Sequence, residues 1–334
     1  MTKKEQLEQI LAERIMIIDG AMGSLIQGYK LEEEDFRKGH FEEHDFPLKG
    51  NNDLLSMTRP DVIQEIHEAY YESGADFATT NSFSGTTIAQ EDYSLESCVY
   101  DLNFAAAQCA RKAADKYTEL QPDKPRFVIG GMGPTNRTAS ISPDVNDPGF
   151  RQVTFDDLKI AYRQQAEALI DGGSDLLMVE TVFDTLNAKA AIFAINEVKQ
   201  ERGIDTPIMV SGTITDASGR TLTGQTTEAF LISIQHGELF SVGLNCALGA
   251  DEMYPYVRAL AENADCFISA HPNAGLPNAF GEYDETANIM APKVERFMKS
   301  GFINIVGGCC GTTPAHISAI AELAAENQPR EVEA

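Results

Sequence analysis

Eight times along this chain a short, nearly continuous apolar run rich in β-formers gives way to a polar or glycine-containing turn and then to a longer stretch of helical periodicity. The runs lie near 15–18, 76–80, 127–131, 175–180, 207–212, 241–245, 266–270 and 303–306. Runs apolar on both faces suit parallel strands covered by helices, because a solvated face would alternate polar with apolar residues. Eight such units in 334 residues predict an α/β fold, a (β/α)8 TIM barrel in a single domain. An open doubly wound sheet is the runner-up. GAMG over 20–23 does not supply the G-x-G-x-x-G spacing expected at its first turn.

Helix punctuation supports the alternation. Pro60 suits a first-turn position, Val62, Ile63, Ile66, Ala69 and Tyr70 share one apolar face, and Gly74 marks a stop. Thr154 suits an N-cap, and Thr313 with Pro314 opens a helix that buries Ile317, Ile320 and Leu323. Two insertions follow strands 1 and 3: an acidic segment at 27–57, expected to be irregular, and a turn-rich segment at 134–153. Both are expected to crowd the catalytic mouth, since barrel active sites collect at the C-terminal ends of the strands. The barrel is assigned to 1–326, and 327–334 to a polar tail or the start of an interdomain linker.

Charge and composition narrow the function. A formal net charge of −25 repels polyanions, which excludes nucleic acid and anionic membrane surfaces as expected partners. No apolar run approaches the roughly 18–20 residues of a membrane helix, and the charged opening stretch is unlike a secretory signal, so a cytoplasmic location is expected. Six cysteines are too sparse for a disulfide framework. They are left for metal binding, catalysis or packing.

The most informative segment is INIVGGCCGTTP over 303–314. In a regular strand Cys309 and Cys310 would point to opposite faces; flanking glycines let the backbone leave strand geometry so that both sulfurs can turn to one ion. Cys246, in GLNCALG over 243–249, ends the sixth strand, and barrel closure can bring it to the same place. Three thiolates on zinc leave one open position, the pattern of a catalytic rather than a structural site. Core packing accounts for Cys98, Cys109 and Cys266.

At the first strand's end, DGAMGS over 19–24 offers an acid and a turn of small residues able to hold a carboxylate on backbone N–H groups. Asp19 and Glu180, each ending a strand, can together accept the hydrogen bonds of an ammonium group; the alternative is that both are solvated or capping acids. His40 and His44 have an i, i+4 spacing without a third ligand and are expected in solvent, and His271 is placed at the mouth. No lysine ends a predicted strand, which argues against Schiff-base chemistry.

Taken together, DGAMGS, GLNC and GGCCG over 307–311 resemble the motifs of the homocysteine S-methyltransferases, along nearly the whole chain. GPTNRTASISPD over 133–144, SGTITDASGR over 211–220 and HPNAGLPN over 271–278 are most similar to the branch whose barrel is the homocysteine-binding module of cobalamin-dependent methionine synthases. The resemblance implies zinc on Cys246, Cys309 and Cys310, with Asn273 or water in the fourth position when substrate is absent. It implies L-homocysteine as substrate, its ammonium on Asp19 and Glu180 and its carboxylate on N–H groups of Gly20, Ala21, Met22 and Gly23. Methylcobalamin would be the donor, held by a cobalamin-binding module and recharged from methyltetrahydrofolate by a folate-binding module of the same longer protein. The alternatives are a stand-alone enzyme using betaine or S-methylmethionine, and a noncatalytic barrel stabilised by zinc. One departure from the pattern is Thr79, where relatives commonly have an acid.

Overall fold

A computed structural model describes residues 1–215 and 218–332. Asp216 and Ala217, within the stretch 211–220 quoted above, and the last two residues of the tail lie outside the described residues. Eight parallel strands form in chain order: β1 (Met16–Ile17), β2 (Phe77–Thr79), β3 (Phe127–Met132), β4 (Leu176–Val182), β5 (Ile208–Gly212), β6 (Ser241–Asn245), β7 (Phe267–His271) and β8 (Ile305–Val306). Each matches one of the eight apolar runs. Strand β1 pairs with β8, neighbours then descend in order to β2, and a parallel bridge from Ile18 to Phe77 joins the two ends into a (β/α)8 barrel.

Alternation within the strands divides the core. Met16, Ile18, Phe77, Phe127, Ile129, Leu176, Met178, Met209 and Ile305 form an inner cluster, joined by Leu7 and Leu11 of the N-terminal helix Lys3–Glu13. That helix plugs the barrel foot. Its two buried leucines stabilise the plug by about 1.5–3 kcal/mol each. The outer faces of the strands pack under the surrounding helices, among them Pro60–Glu72, Val99–Leu120, Phe155–Asp171 and Thr185–Arg202.

The helix signals act as the residues suggest. Pro60 is the first residue of its helix, Thr154 forms a capping box with Asp157, and Pro314 opens the last helix. Gly74 ends the first barrel helix with φ +102°, a conformation that favours glycine. At the foot, Arg14 forks onto Asp76 at 2.9 and 2.8 Å, and the same carboxylate accepts the Ile17 N–H at 2.7 Å. Arg330, in the stretch read as a tail, donates to the carbonyls of Ala261, Ala264 and Cys266. No helix among the described residues is long and apolar enough to cross a membrane.

The insertion at 27–57 is more ordered than its composition suggests. It contains the short helices Glu33–Phe36 and Leu55–Thr58 and buries Phe36, Phe41, Leu48, Leu54 and Leu55. The cause is local: Glu33 accepts the N–H groups of Leu48 and Lys49 at 2.9 and 2.7 Å, tying the two ends of the loop together. In contrast, 134–153 carries no helix or strand, as its turn formers predict.

Candidate metal and substrate site

At the C-terminal ends of the strands lies a cavity of about 380 Å³. Three cysteines and three carboxylates line it, and among the described residues no lysine or arginine does. A larger groove at the foot, lined by Leu11, Phe240, Phe267 and Val332 under a rim of mixed charge, carries none of this chemistry.

The cysteine cluster is built by backbone. Just past β6, Cys246 and Ala247 have φ of +61° and +58°, a strained conformation for residues with a Cβ. The Cys246 N–H donates to the His271 carbonyl at 3.1 Å and secures that turn. Past β8, a Cβ on Gly307 would come within 2.4 Å of the Ile18 carbonyl oxygen, so only glycine lets the chain pass there. Cys309 N–H donates to Pro272 O at 2.9 Å, and Cys310 N–H donates to Asn273 Oδ1 at 3.1 Å.

These turns bring the Sγ atoms of Cys246, Cys309 and Cys310 within 4.8 Å of one another, with Cys246 and Cys310 3.6 Å apart. A tetrahedral ion with metal–sulfur bonds of about 2.3 Å separates its sulfurs by about 3.8 Å, so the cluster fits a metal with little movement. Among the described residues no other group of three ligating side chains converges in this way. Their proximity sets their acidities against one another: hydrogen bonds from Cys246 and Cys309 hold the Cys310 thiol below its ordinary value, while Cys309, facing the same two sulfurs and buried, is held well above it. Asn273 is brought against the cluster, with its side-chain oxygen engaged by the Cys310 backbone.

The carboxylates line the same cavity. Asp19 accepts the Thr79 N–H at 2.8 Å and the Thr79 hydroxyl at 3.0 Å, so the departure at position 79 supplies a contact rather than removing one. Burial still lifts Asp19 to about 7 against those bonds. Glu180 has no hydrogen bond to its carboxylate among the described residues; burial first, then the charges of Asp19, Asp53 and Cys310, raise it to about 8. Asp53 is the member that the sequence reading missed. It reaches the cavity from the first insertion, accepts the Ser84 N–H at 2.8 Å, and burial lifts it to about 6.

Gly20 is fixed between neighbours, since a Cβ there would stand 2.7 Å from Thr312 Oγ1 and 2.9 Å from the Tyr70 hydroxyl. Of the expected backbone donors, the Ala21 N–H is spent on Thr312 Oγ1 at 3.2 Å. Met22 and Gly23 open the helix Met22–Gly28, where first-turn N–H groups lack an intrahelical acceptor. His271 lines the cavity, and burial lowers it to about 4, so it is neutral. His44 bonds the Tyr93 carbonyl at 2.8 Å and stays apart from the site.

The family model for Homocysteine S-methyltransferase matches residues 16–324. The chain belongs to the homocysteine S-methyltransferase family. The homocysteine methyltransferase MmuM from Escherichia coli has the same fold: its metallated form superposes with a TM-score of 0.72 at 21% identity, covering 94% of this chain and 98% of that one. The oxidized form of MmuM gives 0.70 at 22% identity, covering 92% and 95%. Membership of the homocysteine S-methyltransferases makes this chain a methyltransferase acting on homocysteine, and the cysteine cluster is its candidate metal centre.

Proposed function

We propose that this homocysteine S-methyltransferase holds zinc on Cys246, Cys309 and Cys310 and methylates L-homocysteine to methionine with methylcobalamin as donor. The observation that carries the reading is the pairing, in one cavity, of three convergent sulfurs with the unpartnered carboxylate of Glu180. An amino acid bearing a thiol at one end and an ammonium at the other satisfies both sets of groups. Bound zinc would supply Lewis acidity that favours the thiolate of a substrate thiol whose free pKa is about 8.5.

The chain's own groups do the binding. Asp19 and Glu180 give up their protons as the substrate ammonium arrives, which replaces the burial cost of two carboxylates with two charge-assisted hydrogen bonds. The turn at Gly20, Ala21, Met22 and Gly23 receives the substrate carboxylate on its remaining N–H groups. The absence of lysine and arginine from the lining leaves the ammonium as the partner for those acids. Methylcobalamin as donor is supported by the stretches 133–144, 211–220 and 271–278, and implies cobalamin-binding and folate-binding modules beside a barrel spanning 1–326 in the cytoplasm.

Zinc stoichiometry and zinc-edge X-ray absorption, with and without homocysteine, test the centre. One zinc gaining a sulfur neighbour at about 2.3 Å on adding homocysteine is the expected result. No zinc, or a coordination shell unchanged at saturating homocysteine, would overturn it. Single-turnover assays then decide the donor: methionine formed from methylcobalamin supports the proposal, and turnover of betaine or S-methylmethionine by this chain alone replaces it.

A further inference from the structure

Among the described residues with positive φ, Thr181 is the one β-branched residue, at +54°. Such a conformation is strained for a branched side chain, and it persists only where surrounding contacts demand it. The demand is visible in the sheet. The register between β4 and β5 shifts between Val179 and Val182, which leaves Glu180 and Thr181 outside the ladder.

Freed from the ladder, the Thr181 N–H donates to Asn245 Oδ1 at 3.0 Å, and the Ser211 hydroxyl donates to the same atom at 2.7 Å. A backbone N–H can only donate, so this atom of Asn245 must be its oxygen. The amide nitrogen then faces the other way. It donates to Thr181 Oγ1 at 2.9 Å and to Cys309 Sγ at 3.9 Å. Asn245 is buried, at the last position of β6, one residue before Cys246.

We propose that Asn245 is a positioning residue for methyl transfer: its N–H fixes the direction of the Cys309 sulfur and draws charge from it. The inference rests on the reading of the three cysteines as metal ligands. Groups of this kind beside a metal tune the ligand as well as orient it. Because the oxygen of the same amide is held by Thr181, the bulge that carries Glu180 and the loop that carries Cys309 are tied through one side chain. The pocket for the ammonium and the centre for the thiol are thereby kept in fixed relation.

The test uses the full chain loaded with cobalt(II), whose sulfur-to-metal charge-transfer band reports the electron density on the thiolates, with affinity measured by chelator competition. Asn245→Asp keeps an oxygen for Ser211 and Thr181 but removes the donor to Cys309. The band should move to longer wavelength and affinity should fall roughly tenfold to a hundredfold. A band and affinity equal to those of the unsubstituted chain would overturn the proposal while leaving the metal centre standing. Failure of the unsubstituted chain to form a sulfur–cobalt band would overturn both. Should Asn245→Asp not fold, Ser211→Ala decides: losing the 2.7 Å donor should loosen the amide and move the band the same way by less, and no movement overturns the proposal.

Discussion

Replacing Glu180 with Gln should make the protein more stable and a worse enzyme. Burial and neighbouring negative charge raise this carboxyl from 4.5 to about 8, so the folded chain takes up a proton that the unfolded chain has released at neutral pH. For an acid shifted upward the sign is unfavourable. Stability falls as pH rises from about 4.5 and levels off above about 8. At about 1.4 kcal/mol per pH unit, that interval sets a ceiling of about 5 kcal/mol. Water in the cavity screens part of it, leaving about 2–3 kcal/mol at pH 8 and under about 1 kcal/mol at pH 5.5. For a chain of this size the gain at pH 8 corresponds to a melting temperature about 3–4 °C higher. The assay is thermal and urea unfolding of the metal-free protein at both pH values, with and without homocysteine. Asn and Gln side chains cannot pair with an ammonium as a carboxylate does, so the same variant should lose most of the stabilisation conferred by homocysteine. A variant no more stable than the parent at pH 8, or one that keeps the full homocysteine effect, would refute the reasoning.

Gly20→Ala places a methyl group 2.7 Å from Thr312 Oγ1, so it should displace the turn, raise KM for homocysteine at least tenfold and cost about 1–3 kcal/mol in unfolding experiments. Thr79→Val removes the hydroxyl donor to Asp19 and should push that carboxyl further above about 7; the affinity for methionine, a thiol-free probe, should then rise with pH about one unit later, as read by calorimetry. Arg14→Ala leaves Asp76 with the Ile17 N–H and a Lys124 ammonium 3.8 Å away, and should cost about 2–3 kcal/mol in urea, discounted for the partial exposure of Arg14, while kcat stays unchanged.

Much of this architecture is legible because parallel strands buried on both faces must be mostly apolar, and all eight runs are nearly so. Cys309 and Cys310 are legible for a different reason: glycines at 307, 308 and 311 announce that the chain leaves the strand there. Asp53 gave no such signal. It belongs to an acidic segment where one carboxylate looks like the next, and only the packing of Leu54 and Leu55 turns it inward. Asn245 lay in plain view within GLNC but looked like a spacer before the cysteine, because its value depends on a bulge in another strand. Thr181 is the hardest case, since branched residues favour extended backbone and nothing nearby in sequence contradicts that preference. The order in 27–57 escaped notice because Glu33 acts across a loop rather than along a helix.

The two kinds of side chain in the cavity belong to different stretches of the barrel. Asp19 follows β1 and Glu180 sits in the bulge of β4, whereas the sulfurs sit in the turns just past β6 and β8, so strands from around the hydrogen-bonded ring set where the two groups of side chains begin. Under the proposed binding mode, what the mouth reads is the length of chain between an amino acid's ammonium and its sulfur.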